Sequence, residues 1–198
     1  MRAHSTHDGA FLQRREFDAL RSQEARRIVV SPATIEELPG LVAFAARAIP
    51  SLAAAEPAVV KVQRYNPNSV LAFRRGAEVV GIYAMLFLNH SGLEQLLLGE
   101  LNTADPELRR LAGPDETAAA IYFWAVVARG MAMEGLRTVS ARLAAPNCIA
   151  ANIFTCPIND EAVRIVTHVG FRPVNSGREG LHRYLRLCNR APELSMAA

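Results

Sequence analysis

The chain has 198 residues, enough for one domain with a sizeable core, and its hydrophobic and charged fractions of 51% and 21% exclude a largely disordered protein. Its formal net charge of +3 comes almost wholly from arginine, since Lys61 is the sole lysine. The arginines lack the aromatic interleaving and the recognition-helix motif of nucleic-acid-binding proteins, so no nucleic-acid partner is expected.

The sequence shows no sign of a membrane span, a secretory signal or a metal site. No apolar run approaches the roughly 20 residues of a membrane helix, and residues 1–8 contain no apolar signal core. The cysteines Cys148, Cys156 and Cys188 have neither metal-ligand spacing nor the even count of a disulfide framework. A soluble protein of the reducing cytoplasm, without a metal and without a membrane partner, is therefore expected.

The chain is predicted to consist of an extension, one domain and a short tail. Residues 1–27 are polar and rich in arginine, so they are interpreted as an N-terminal extension with at most a short helix. Residues 28–190 carry all the regular patterns and form the domain, and residues 191–198 form the tail. No internal repeat and no low-complexity segment interrupts the domain.

The first half of the domain is predicted to hold one strand, two helices and a three-stranded meander. The β-branched run 28–30 favours a strand, and residues 34–50 have a capping box, helical spacing of apolar residues and a terminal proline. A second helix is predicted over 56–65. The apolar runs on either side of Gly76 predict a hairpin, and the leucine-rich run 93–101 predicts the third strand.

The second half is predicted to alternate helices and strands. Residues 113–117 place a proline at the first helical position and acids in the first turn, which is typical of a helix start, and Gly135 ends that helix. The remaining predicted elements are a strand over 136–143, a helix over 159–169 and strands over 171–174 and 181–187.

The predicted order is therefore β-α-α-β-β-β-α-β-α-β-β. A meander followed by alternating helices and strands favours a mixed α/β fold, a twisted mixed sheet with helices on both faces. The long helix makes a βαβ unit of the strands near 93–102 and 136–143, and such a crossover requires parallel strands. We therefore expect those two strands to run side by side and to splay apart at one end.

Residues 159–171 resemble a recurrent helix of the GNAT superfamily of N-acyltransferases. The family pattern is an asparagine, an alanine three residues later and a Gly-Phe pair, and Asn159, Ala162, Gly170 and Phe171 stand at the matching offsets. With the order of elements, the resemblance covers most of the chain. It implies an acyl-CoA-dependent N-acyltransferase that moves an acyl group directly from acetyl-CoA or another acyl-CoA to an amine of a small molecule or peptide. Asn159 and Ala162 would then bind the cofactor.

The family's phosphate-binding loop, Gln/Arg-x-x-Gly-x-Gly/Ala, has only partial matches here. One begins at Arg110 and keeps its glycine, and the other begins at Asp115 and keeps only the final small residue. Pro114 removes a backbone donor, and the acids that follow place negative charge where a phosphate would lie. The predicted pyrophosphate contacts are Arg109, Arg110, Gly113 and Ala118.

The acid and the base of the reaction are predicted separately. Val166 stands where the family has a tyrosine that protonates the leaving thiolate, so this proton must come from another group or from water. Glu100, on the predicted third strand of the meander, matches the glutamate that the resemblance implies as general base, and apolar neighbours would raise its pKa by desolvation. The alternative is a solvated acid at the end of a strand. Leu101 and Asn102, next on that strand, are predicted to bind the acyl-CoA.

Two functions stay open from the sequence. The first is the acyl-CoA-dependent N-acyltransferase, which the Asn159 helix and Glu100 favour. The second is a GNAT-like domain without coenzyme A chemistry that acts as a ligand-binding or protein-interaction module, which the partial phosphate loop and Val166 favour. The enzyme is the preferred hypothesis, and either function is compatible with a homodimer. A thiol nucleophile at Cys148 or Cys156 has no supporting local signature.

Overall fold

The computed structural model describes residues 27–128 and 134–186, and in these ranges five α-helices flank a sheet of seven strands. The strands are β1 (Ile28–Pro32), β2 (Val70–Arg75), β3 (Glu78–Leu88), β4 (Ala120–Ala128), β5 (Asn152–Thr155), β6 (Arg172–Pro173) and β7 (His182–Tyr184). The α-helices are α1 (Leu38–Ala46), α2 (Glu56–Tyr65), α3 (His90–Leu98), α4 (Gly135–Leu143) and α5 (Asp160–His168). The predicted tail and, apart from Arg27, the predicted extension lie outside the described residues.

The strands follow one another across the sheet in the order β1-β2-β3-β4-β5-β7-β6. Every neighbouring pair is antiparallel except β4 and β5, which are parallel. Helix α4 connects these two strands, as a parallel crossover requires. The predicted mixed sheet is confirmed, but the predicted parallel pair of strands near 93–102 and 136–143 is wrong, because these segments lie mainly in helices α3 and α4.

The sheet separates two layers of helices, because successive side chains of a strand point to opposite faces. On β2, Phe73 is fully buried in a cluster that includes Val139 of α4. Its neighbour Ala72 packs on the other side with Leu38 of α1 and Val59 of α2. The predicted placement of helices on both faces is thus confirmed.

Elements with strong local signals lie where they are predicted. Gly76 has φ 60°, as the tight hairpin between β2 and β3 requires. Before α1, the Glu37 carboxylate accepts the backbone N–H of Thr34 at 2.9 Å, which is one half of the predicted capping box. Asn159 accepts the backbone N–H of Ala162 at 2.8 Å and begins α5.

The run predicted as the third strand of the meander is helix α3 instead. The Asn89 side chain accepts the N–H of Gly92 at 3.0 Å at its start, and Gly99 ends the helix with φ 81°. Leu96 is fully buried, while Leu93 and Leu97 pack partly against the same cluster. A run of leucines fits either structure, and the two caps favour the helix.

The predicted helix between Gly113 and Gly135 and the predicted strand 136–143 are also wrong. The Glu116 carboxylate accepts the N–H of Gly113 at 2.8 Å, so the helix-start residues form a turn. The aromatic and β-branched residues that follow form β4, which pairs on both edges and buries Ile121 completely. The segment 136–143 lies in α4, and the observed order is β-α-α-β-β-α-β-α-β-α-β-β.

Candidate functional site

Strands β4 and β5 pair for four residues and then separate. The last pair is Phe123 and Thr155, and the Thr155 hydroxyl donates to the Phe123 carbonyl oxygen at 3.4 Å. Beyond this row β5 ends, whereas β4 continues to Ala128 against β3. Within the described residues, the β5-facing edge of β4 after Phe123 therefore has no strand partner.

A β-bulge lies at the point where the strands separate. Ala84 of β3 pairs with Ala125 and Met85 pairs with Phe123, so Trp124 is the extra residue on β4. A bulge bends its strand and increases the local twist. The opening between β4 and β5 thus has two causes, the end of β5 and the bend of β4 at Trp124.

Helix α5 begins at the same edge of the sheet, after the carboxyl end of β5. Its less exposed face is formed by Ala162, Val163 and Val166, and Val166 packs against the core beneath α4. The Asn159 side chain is engaged in the helix cap. The structure therefore brings the predicted residues Asn159 and Ala162 to the end of the sheet at which β4 and β5 separate.

On the opposite face of the sheet, Arg178 joins three segments beside the opening. Its Nε donates to the sulfur of Cys156 at 3.2 Å, Nη1 to the Leu101 carbonyl at 3.2 Å and Nη2 to the Thr103 hydroxyl at 3.3 Å. The guanidinium also lies 5.5 Å from the centre of the Tyr122 ring. Cys156 directly follows the last paired residue of β5, so Arg178 lies at the rim of the opening.

The partners of Arg178 carry no compensating charge. Burial raises the pKa of Tyr122 above its usual value, so its hydroxyl stays protonated at neutral pH. The polar contacts of Arg178 that the structure describes are to neutral groups, and no ion pair of the described residues involves it. This rim is consequently a positively charged feature of the site.

The predicted base does not lie on a strand. Glu100 and Asn102 are exposed in the turn after α3, whereas Leu101 is buried and its carbonyl accepts from Arg178. The Asn102 side chain accepts the backbone N–H of Ala104 at 3.0 Å and so shapes this turn. The turn reaches the rim of the opening, but Glu100 lacks the apolar surroundings expected of a buried base.

The predicted pyrophosphate contacts lie at the other end of the parallel pair. They precede β4, whereas Asn159 follows β5, and in parallel strands these positions are at opposite edges. The Arg110 guanidinium donates to the Ser91 hydroxyl, and the Ala118 N–H donates to the Asn147 carbonyl at 2.9 Å. Arg109, Arg110, Gly113 and Ala118 therefore do not form one cofactor site with Asn159 and Ala162. The connection between β4 and α4 includes residues 129–133, which are outside the described ranges.

Sequence reasoning missed His182, which pairs with Thr155 in the last row before the opening. The side chain is buried, and its Nδ1 lies 2.9 Å from the Gly180 carbonyl oxygen. Because a carbonyl only accepts, Nδ1 carries a proton, and in the neutral form of the ring Nε2 is the acceptor. A histidine close to the C-terminal end of a chain has no local signal that distinguishes this position.

Two further observations concern the described residues as a set. They contain no group of three or more His, Cys, Asp or Glu side chains that could hold a metal ion. None of their helices is long and apolar enough to cross a membrane.

Comparison with known proteins finds likeness in structure only, since the chain matches no protein-family profile and no curated protein. PH1933 from Pyrococcus horikoshii OT3 is 14% identical, with 79% of this chain and 96% of that chain covered and a TM-score of 0.49. The GNAT-like decarboxylase GphF in complex with isobutyryl-CoA is 18% identical over 73% of each chain, with a TM-score of 0.49. A GNAT-family acetyltransferase from Listeria monocytogenes is 12% identical, with coverages of 80% and 94% and a TM-score of 0.49. Two of these three proteins, GphF and the Listeria protein, are GNAT-like or GNAT-family proteins, and the recurrent helix of that superfamily is the one that residues 159–171 resemble.

Proposed function

We propose that the chain is an acyl-CoA-dependent N-acyltransferase and that acyl transfer takes place where β4 and β5 separate. The observation that carries this proposal is the unpaired edge of β4 beyond Phe123, next to the bulge at Trp124. An open strand edge binds an extended amide-containing ligand through its backbone groups, in the manner of an added strand. The pantetheine arm of coenzyme A has this character, so the chemistry of the opening fits the cofactor.

The residues around the opening have separate roles in this proposal. Backbone groups of β4 beyond Phe123 would hold the arm, and the small side chain of Ala162 leaves room for it on the α5 side. Bound acyl-CoA supplies a thioester, whose carbonyl carbon is the site of attack by the amine. Backbone N–H groups at the bulge are suited to stabilise the oxyanion that develops there. The acceptor would enter the opening beyond Thr155, between the face that carries Arg178 and the face to which His182 alternates.

Protons move by other routes than the resemblance implies. Val166 carries no proton, and Glu100 is exposed. His182 pairs with Thr155 in the last row of the sheet, one strand away from the opening. In the neutral form of its ring Nε2 is an acceptor, so it would take the proton of the amine through water. Water would then protonate the leaving thiolate.

The second candidate function is a binding module without acyl transfer. Val166 in place of a tyrosine and the exposure of Glu100 favour it, because they leave both predicted proton-transfer positions without a suitable group. This module would use the same opening to bind its ligand but would not catalyse turnover.

Two variants, each with one alanine replaced by tryptophan, test the location of the site. Ala162→Trp fills the space between α5 and β4, whereas Ala141→Trp adds the same side chain at an exposed position of α4. Calorimetry with acetyl-CoA should show binding to the wild type and to Ala141→Trp, and at least about tenfold weaker binding to Ala162→Trp, which corresponds to about 1.4 kcal/mol. Binding should also raise the melting temperature.

Release of free thiol in the presence of a panel of amines then separates the two functions. Turnover that Ala162→Trp abolishes and Ala141→Trp retains supports the enzyme. Binding of acetyl-CoA without turnover of any amine supports the module. Equal binding by both variants, or no heat at millimolar acetyl-CoA, contradicts the location.

A further inference from the structure

A groove of about 690 Å³ runs between α4 and α5, on the face of the sheet opposite to α1. Its floor is aromatic: Tyr83, Phe123, Phe171 and Tyr184 follow one another with ring centroids 4.9, 6.0 and 5.5 Å apart. Its mouth includes the exposed residue Ser140. A concave, mostly apolar volume of this size is typical of small-molecule sites, which range over about 300–1,000 Å³.

Of the residues that line this groove, Arg186 alone carries a charge. It lies two residues after the end of β7, and its Nε and Nη2 are buried without a hydrogen-bond partner. No ion pair of the described residues includes it. A buried, unpaired cation is destabilising, and buried polar groups without partners are rare in folded proteins.

The two titratable groups on whose pKa values the charge of Arg186 acts do not supply the missing negative charge. Burial raises the pKa of the Tyr83 hydroxyl, even though the charge of Arg186 acts in the opposite direction. Burial also raises the pKa of the Cys148 thiol against the same opposing effect. Both groups are therefore neutral at physiological pH.

Two other half-buried arginines of the described residues, Arg74 and Arg178, have partners. Both carboxylate oxygens of Glu37 accept from Arg74 at 2.6 Å. Arg178 donates to three neutral acceptors. By contrast, Nε and Nη2 of Arg186 have neither a carboxylate nor a neutral acceptor as partner.

The geometry of the unpartnered atoms indicates what would satisfy them. In a guanidinium, the N–H of Nε and one N–H of Nη2 point in the same direction and form one edge. This edge matches the two oxygens of a carboxylate in a bidentate pair. We infer that the groove binds an organic carboxylate with an apolar body, with its carboxylate on Arg186 and its body along the aromatic floor.

The test uses the full chain with three probes: octanoate, 2-naphthoate and the uncharged octanamide. Calorimetry should show binding of at least one carboxylate, and octanamide should bind at least about tenfold more weakly than octanoate if octanoate binds. Arg186→Met should weaken carboxylate binding by about 10- to 100-fold. Arg183→Met is the matched control, because Arg183 lies on β7 three residues before Arg186 and pairs with Phe154, which packs on the opposite face of the sheet.

Ser140→Trp closes the mouth of the groove from an exposed helix position and should abolish binding without a loss of folding. It also keeps the test decisive if Arg186→Met does not fold. Arg186-dependent binding of octanoate identifies an aliphatic body, and the same behaviour of 2-naphthoate identifies an aromatic body. Equal binding by Arg186→Met and Arg183→Met, equal binding of octanoate and octanamide, or no carboxylate binding at millimolar concentration overturns the inference. The groove shares Phe123 with the opening, but this experiment measures carboxylate binding without acyl-CoA, so its failure can be distinguished from a failure of acetyl-CoA binding.

Discussion

Two arginines near the C-terminal hairpin lie on opposite faces of the sheet and are held in opposite ways. Arg178 donates to Cys156, Leu101 and Thr103 and thereby ties the turn after α3 to the end of β5. Arg186 lines an apolar groove, and two of its nitrogens have no partner. The contrast indicates that the acceptors around a guanidinium decide whether it stabilises the fold or is available to a ligand.

The largest expected effect concerns the turn that Arg178 holds. Gly99 and Gly76 both have positive φ, but an added Cβ at Gly99 would lie 2.5 Å from the Gly177 carbonyl oxygen, whereas nothing lies within 4 Å at Gly76. Gly76→Ala should therefore lower the free energy of unfolding by about 1 kcal/mol through its backbone alone. Gly99→Ala should lower it by about 3 kcal/mol or more, because backbone atoms must also move.

Urea unfolding of the two glycine variants measures this difference. If Gly99→Ala is no less stable than Gly76→Ala, the contact between the turn after α3 and the loop that carries Arg178 is not tight.

Arg178→Met should lower the free energy of unfolding by about 2 kcal/mol, because it removes a charged donor from three acceptors in a half-buried place. Arg178→Lys should recover little of this loss, since an ammonium cannot reproduce the planar fork. Arg183→Met serves as the control on the neighbouring strand. If Arg178→Met lowers the free energy of unfolding by less than about 0.5 kcal/mol, the contacts of Arg178 do not stabilise the fold.

Arg186→Met should behave in the opposite way in the absence of any added ligand. Replacing an unpaired buried cation by an apolar side chain is neutral or stabilising, so the free energy of unfolding should stay constant or rise by about 1 kcal/mol. The same urea unfolding measurement compares it with Arg178→Met. A clear destabilisation would show that Arg186 has a partner in the folded chain and would remove the contrast between the two arginines.

A third arginine sharpens the comparison, because Arg74 is paired with a carboxylate. Hydrogen bonds from the Thr34 N–H and from Arg74 lower the pKa of Glu37. A lowered pKa in the folded state gives stability that is present above the ordinary glutamate value of about 4.3 and is lost as the pH falls through the lowered value. The exposure of Glu37 keeps this contribution to about 0.5 kcal/mol.

The difference in melting temperature between wild type and Glu37→Gln should accordingly be full at pH 7 and disappear in acid. A difference that is constant down to acidic pH would show that the Glu37 carboxylate is not what Arg74 pairs with.

The sequence was sufficient where the decisive signals were local. The Asn159 cap and the positive φ of Gly76 each act within a few residues, and the elements they define are correct. Between residues 90 and 143 all three predicted elements are of the wrong type, since a leucine run fits helix or strand and Pro114 serves a turn. The site residues could not be predicted because their contacts are distant: Arg178 and Leu101 are 77 residues apart.

The smallest expected effect concerns Glu100, which the family resemblance identifies as a base. Its side chain is exposed in the turn after α3, where water screens its charge and no apolar surroundings tune it for proton transfer. If the proposed acyltransferase activity is found, Glu100→Gln should change kcat by less than about threefold, compared with the 10²- to 10⁴-fold loss expected of a general base. His182→Gln is the informative partner, since it removes the buried acceptor next to Thr155 in the last row of the sheet. A pH profile of kcat/KM that keeps its acidic limb in Glu100→Gln and loses it in His182→Gln would identify the imidazole as the base. A loss of 10²-fold or more in Glu100→Gln, with unchanged binding of acetyl-CoA, would instead show that the turn closes over the opening and carries Glu100 to the amine.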